Sequence, residues 1–228
     1  MSRIEKLKQD INNIYHEIDT CGTDYKKKGT LGELAVFRIC EEVYRNQGGI
    51  LYHSFQYKVD DELPGNIKRS EQGNLFLEKL GKFTEIDILL VTPYVLIPIE
   101  VKTYSAIRGG GIVLTNEGIT GCSETDKSPV HQNEMHCRHL YSYIYKCLPN
   151  GETKYIQPVV VFTDRCKLLD RRTQDQQEYI PVTTLNGLYS MIKRINQPKE
   201  YRLNLDAVAN ALNDCCFGYE KMLPLKKE

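Results

Sequence analysis

Asp87, Glu100 and Lys102 stand inside one otherwise apolar run, TEIDILLVTPYVLIPIEVKT, which extends from Thr84 to Thr103. The run places charges where a core strand should carry none. It reads as two strands, with Ile86, Ile88 and Leu90 alternating on one side of the first and Val95, Ile97, Ile99 and Val101 on one side of the second. Between them, Thr92-Pro93-Tyr94-Val95 closes a tight turn, because proline at the second position has its φ angle already set. A turn centred between Pro93 and Tyr94 sets the register: residue 92 faces 95, so partners sum to 187, Asp87 opposes Glu100, and Glu85 opposes Lys102. Directly opposed residues have β carbons roughly 5 Å apart, and like charges there repel unless something positive lies between them.

A divalent cation would answer that need. Mg²⁺ is a hard ion that takes oxygen ligands, typically one or two carboxylates with waters and phosphate oxygens. Asp87, Glu100 and the backbone carbonyl of Val101 would supply such a set, with Mn²⁺ as the natural substitute ion. Lys102 shares a strand face with Glu100, where its ammonium could orient an attacking water or counter charge growing on a phosphate. The competing reading makes these residues surface contacts, with Glu85 and Lys102 an ion pair of little worth and Asp87 solvated. On the hairpin alone both readings stay open.

Two helix starts complete the candidate set. Thr30-Leu31-Gly32-Glu33 has the pattern of a capping box, in which the threonine caps a helix and Glu33 reaches back to the threonine amide. The same Glu33 begins a face continued by Phe37, Cys40 and Tyr44, so its carboxylate could also sit where that face meets the sheet. Farther along, Ser128 as cap and Pro129 at the first helical position open a helix that carries His131, Gln132, His136 and His139. No cysteine pair or third ligand stands at finger-like spacing from these histidines, so they do not read as structural zinc.

Asp87, twelve intervening residues, then Glu100-Val101-Lys102 at the end of a hydrophobic strand resembles the PD-(D/E)XK phosphodiesterase signature of restriction-endonuclease-like nucleases. More narrowly, four separated pieces resemble the nuclease-related domain (NERD) family: Gly32-Glu33, Glu85-Ile86-Asp87, Glu100-Val101-Lys102-Thr103, and Ser128-Pro129-Val130-His131-Gln132. Their order and spacing cover about residues 29 to 165. Ile86 replaces the proline that names the superfamily motif, and Ser128 stands where the family more often has asparagine. The resemblance implies a metal-dependent nuclease acting on nucleic acid, DNA being favoured. Its catalytic set would be Glu33, Asp87, Glu100, Lys102 and Gln132. Asp87, Glu100 and the Val101 carbonyl would hold the metal, Glu33 is a further candidate ligand, and Gln132 would lie beside the metal and the lysine.

Composition agrees with a small enzyme. The 228 residues are 41% hydrophobic, enough for one substantial core, and no apolar segment is long enough to span a membrane. The start, MSRIEKLKQD, is charged and unlike a secretory signal, and eight cysteines without a C-x-x-C pair read as reduced residues of a cytoplasmic protein. Thirty basic against thirty acidic residues exclude a protein that coats long duplexes by charge alone. Local clusters at Lys26-Lys27-Lys28, Arg165 with Lys167, and Arg171-Arg172 are candidates for phosphate contacts.

The elements that must position the site follow from periodicity. Ile4, Leu7, Ile11, Ile14 and Ile18 have the spacing of a short coiled-coil seam, which either docks on the chain's own core or pairs in a homodimer or higher oligomer. A first strand is expected over Ile50 to Val59, and a polar stretch from Asp60 to Lys82 would lie over the site as a loop or extended hairpin. Arg108-Gly109-Gly110-Gly111 makes a bend before a strand from Ile112 to Thr115, and another strand runs from Tyr155 to Phe162. Helices follow over Thr184 to Arg194 and Leu205 to Cys216. The fold class expected is α/β, a restriction-endonuclease-like core with a mixed β-sheet flanked by helices. Residues 1–28 form an N-terminal helical extension, 29–195 the nuclease-like domain and 196–228 a C-terminal helical addition. The alternatives in function are an inactive nuclease-fold module that binds nucleic acid or a protein partner, and an oligomeric scaffold.

Overall fold

The computed structural model describes residues 3–22, 24–58, 83–104, 111–122, 128–163 and 167–226. The expected cover from Asp60 to Lys82, Arg165 and most of the bend at Arg108 lie outside the described residues. Strands β2 (Phe83–Val91) and β3 (Leu96–Lys102) form the expected hairpin. Ile88 pairs with Ile99, Leu89 with Pro98, Leu90 with Ile97 and Val91 with Leu96, the register that the Pro93 turn dictates. The Thr92 amide donates to the Val95 carbonyl at 2.9 Å and closes the turn.

This hairpin is the centre of a mixed sheet. β1 (Gly49–Lys58) lies antiparallel to β2 on one side, and β6 (Val159–Phe162) and β8 (Val182–Thr184) follow parallel to β3 on the other. A parallel neighbour needs a long crossover, and helix α3 (Pro129–Ile144) lies within it. On one face α1 (Arg3–Thr20), α2 (Tyr25–Gln47) and α5 (Leu185–Ile195) cover a core that includes Phe37, Ile39, Leu90, Ile97 and Leu188. On the other, α3 and α6 (Leu205–Cys215) cover Tyr52, Phe55, Leu89 and Leu96. A smaller sheet of β4 (Gly111–Leu114), β5 (Ile119–Thr120) and β7 (Lys167–Asp170) adjoins this layer, and the short helix α4 (Gln174–Tyr179) follows β7. The fold class is the one the sequence implies: α/β, a mixed sheet flanked by helices. No helix among the described residues is long and apolar enough to cross a membrane.

Several local expectations are corrected. α2 begins at Tyr25, capped by Asp24, whose carboxylate accepts from the Lys27 amide at 3.0 Å. Thr30 is therefore inside the helix, where its hydroxyl donates to the Lys26 carbonyl, and the capping-box reading of Glu33 falls. In α1, Ile14 and Ile18 are buried in the first core and Ile11 packs against it, so that part of the seam docks on the chain itself. The strand expected from Tyr155 begins at Val159, after a 3₁₀ turn over Thr153–Tyr155. The C-terminal region holds two strands besides its helix. β9 (Cys216–Gly218) and β10 (Lys221–Lys226) both pair antiparallel with β1 and cover its edge.

Candidate active site

The β2–β3 ladder stops at Ile88 and Ile99, one pair before Asp87 and Glu100. There Asp87 Oδ2 accepts the Val101 N–H at 2.7 Å, so a side-chain oxygen takes a donor of the adjoining strand. The sheet also changes its facing at this point. Tyr52 and Phe55 of β1 both face the second core, although strict alternation separates residues three apart, and Leu89 and Ile86 of β2 do the same. Register across the change is kept, with His53 opposite Ile88 and Phe55 opposite Ile86. Ser54 supplies the turn in the backbone with a φ of +54°, directly across from Asp87. Ile86 thus does not lie on the side of Ile88 and Leu90, as simple alternation had it.

Glu100 is 1% exposed. Among the described residues no backbone amide or hydroxyl donates to either of its carboxylate oxygens. Lys102 stands in ion-pair contact with Oε1, and His136 Nε2 of α3 lies 3.6 Å from Oε2. The Glu85 to Lys102 ion pair of the competing reading does not form. Glu85 accepts instead from Gln56 Nε2 at 2.8 Å, which leaves Lys102 to Glu100.

Burial pushes the Asp87 carboxyl well above its usual range, and the negative charge of Glu100 adds to this, against the Val101 amide and Lys102. Burial likewise raises Glu100, opposed by Lys102 and reinforced by Glu33 and Glu85. Burial opposes the charge of Lys102, but Glu100 and then Asp87 outweigh it and hold the ammonium above its ordinary range. His136 is pushed down to about 3 by burial, with His139 and Lys102 adding, so its imidazole is neutral. Its Nδ1 faces the hydroxyls of Thr84 and Tyr57 at 3.4 and 3.5 Å.

α2 approaches from the opposite layer. A Cβ on Gly32 would lie 2.5 Å from Thr103 Oγ1 and 2.8 Å from Thr163 Oγ1, so only glycine lets the helix close onto the ends of β3 and β6. One residue on, Glu33 Oε2 lies 3.2 Å from His53 Nε2, and its charge is felt by both Asp87 and Glu100. Gln132 is half-buried on α3, one turn before His136 on the same helix face. The amide that bonds the sheet is its neighbour Asn133, which donates to the Pro98 and Val159 carbonyls at 3.2 and 2.8 Å. Asn133, His136 and His53 carry no motif spacing, and only their burial marks them.

Among the described residues no three His, Cys, Asp or Glu side chains converge as a ready metal cage. Two opposed carboxylates, Asp87 with Oδ2 on the Val101 amide and Glu100 with Oε2 lacking a hydrogen bond, suit Mg²⁺, which keeps several waters, better than an ion that needs a closed protein shell. Of the basic clusters, Lys26 and Lys27 are exposed on α2, two turns before Glu33. Arg172 is 4% exposed and bonded to Asp170 at 2.7 and 2.9 Å, so it serves β7 and not a phosphate.

A family model described as the nuclease-related domain matches residues 28–163. No curated protein matches the chain. Among solved structures, the small subunit of the heterodimeric restriction endonuclease R.BspD6I is similar at 16% identity, over 90% of this chain and 87% of that one, with a TM-score of 0.38.

Proposed function

The chain belongs to the nuclease-related domain (NERD) family, and from that premise we propose a metal-dependent nuclease that hydrolyses phosphodiester bonds, with DNA as the favoured substrate. The observation that supports this reading best is Glu100: a carboxylate 1% exposed, opposite a second carboxylate, with Lys102 on Oε1 and no hydrogen bond to Oε2 among the described residues. One ammonium against two opposed carboxylates leaves a buried negative charge that costs stability unless a further cation meets it. Asp87, Glu100 and the Val101 carbonyl would hold Mg²⁺ or Mn²⁺. When bound, the ion would supply positive charge to the phosphate and lower the pKa of a water.

The protein's own groups have separate tasks in this proposal. The Val101 amide holds Asp87 in one orientation through its 2.7 Å bond. Lys102 pairs with Glu100, and its ammonium would orient an attacking water or counter charge growing on the phosphate. Glu33 accepts from or orients water at the mouth of the site, and Gln132 donates or accepts beside the phosphate from α3. Lys26 and Lys27 contact the backbone of the nucleic acid.

The test is cleavage of plasmid and linear DNA by wild type and Lys102→Met, in Mg²⁺ and in EDTA. Cleavage should require the metal, and the variant should cut roughly a hundredfold more slowly, the usual scale for a positioned catalytic group. Its DNA affinity in Ca²⁺ should change far less. A wild type that binds DNA but cuts nothing in Mg²⁺ or Mn²⁺ would make this a binding module. A variant that cuts at the wild-type rate would leave Lys102 without a chemical role.

A further inference from the structure

The family match ends at residue 163, yet the strands β9 and β10 return across β1 and bring Glu220 to the candidate site. His53 is 9% exposed and lies between two carboxylates. Its Nε2 faces Glu33 Oε2 and its Nδ1 faces Glu220 Oε2, each at 3.2 Å. The Glu220 amide donates to the His53 carbonyl at 3.0 Å, so Glu220 grips β1 through both backbone and side chain. Next to it, Lys221 lies 4.8 Å from the centre of the Phe37 ring, and that ring is 5.6 Å from His53. The segment is therefore seated on α2 one turn from Glu33.

An imidazole has two ring nitrogens that point away from each other, so a partner held on one fixes the direction in which the other points. We infer that His53 is a positioning residue for Glu33, and that Glu220, supplied by the C-terminal strands, sets the orientation of His53. The site is then incomplete without a part of the chain beyond the matched domain. This inference rests on the reading that Glu33 belongs to the active site.

Glu220 is exposed, so its substitution removes little packing. Glu220→Ala should lower kcat for Mg²⁺-dependent DNA cleavage roughly tenfold, the scale of orienting partners in metal sites, with KM held within about twofold. Glu220→Gln keeps an oxygen acceptor and should retain most of the rate. In metal-free protein the nitrogen NMR resonance of His53 Nε2 should move in Glu220→Ala, as it should in Glu33→Gln. A kcat for Glu220→Ala within about twofold of wild type overturns the inference, and so does a Gln variant as slow as the Ala variant. Should wild type cut no DNA, the nuclease reading falls, and the NMR result alone decides the positioning: a moved Nε2 resonance supports it and an unmoved one overturns it.

Discussion

The two ends of the β2–β3 hairpin are built from one ladder and opposite rules. At the turn end Val91, Val95, Leu96 and Ile97 are fully buried and apolar. The one buried polar side chain there, Thr92, is satisfied: its hydroxyl accepts from the Val95 amide at 3.1 Å and bonds Asn196 Oδ1 at 2.6 Å. At the open end the ladder breaks, two carboxylates face each other, and buried Glu100 has Lys102 on Oε1 and no hydrogen bond to Oε2 among the described residues. One end maximises packing and polar satisfaction, and the other sets two carboxylates against one ammonium. The same two strands thus anchor the fold and carry the candidate site, so the stable half supplies the rigidity that a site at the open half would need.

The contrast can be broken at either end. Leu90 is fully buried between α2 and the sheet, and Leu90→Ala should lower the unfolding free energy in urea by about 2–5 kcal/mol. A loss well below that range would mean that the turn half does not anchor the fold.

A smaller effect of opposite sign is expected at the open end. Asp87 and Glu100 have folded pKa values raised above those of an unfolded chain, so the native state binds more protons and stability falls as pH rises through that window. Asp87→Asn keeps an oxygen for the Val101 amide and removes one of the opposed charges. In EDTA the variant should therefore gain on wild type in Tm as pH rises from about 4 toward neutrality, and differ little below the carboxylate range. A variant that loses stability on wild type over that range would show Asp87 to be a stabilising charge.

Much of this was legible in residue order. Pro93 and the flanking alternation are enough to set the register, because turn geometry and a period of two leave only one pairing that buries both strands. The candidate residues Asp87, Glu100 and Lys102 stand out as charge inside an apolar run, and the structure brings the three together. The change of facing at Ser54 and Asp87 was not legible, since a positive φ on serine leaves no mark in the sequence. Nor was the cap at Asp24: Thr30 offers the same chemistry nearly two turns later, but the helix runs through it and its hydroxyl donates to the Lys26 carbonyl. β10 escaped because Pro224 interrupts a short, half-polar segment, which is tolerated only on an edge strand. His53 and Glu220 are far apart in sequence and meet only because β9 and β10 fold back on β1.

Whether Asp87 and Glu100 hold a cation is read from the shift in Tm between EDTA and saturating Mg²⁺, measured for wild type and Asp87→Asn at neutral pH. An ion at a hundredfold excess over its Kd stabilises the native state by about 2.7 kcal/mol. Wild type should show a rise in Tm of about 5–11 °C, the shift that free energy gives at this chain length, and Asp87→Asn should lose most of it. An equal rise in both proteins would place the cation elsewhere.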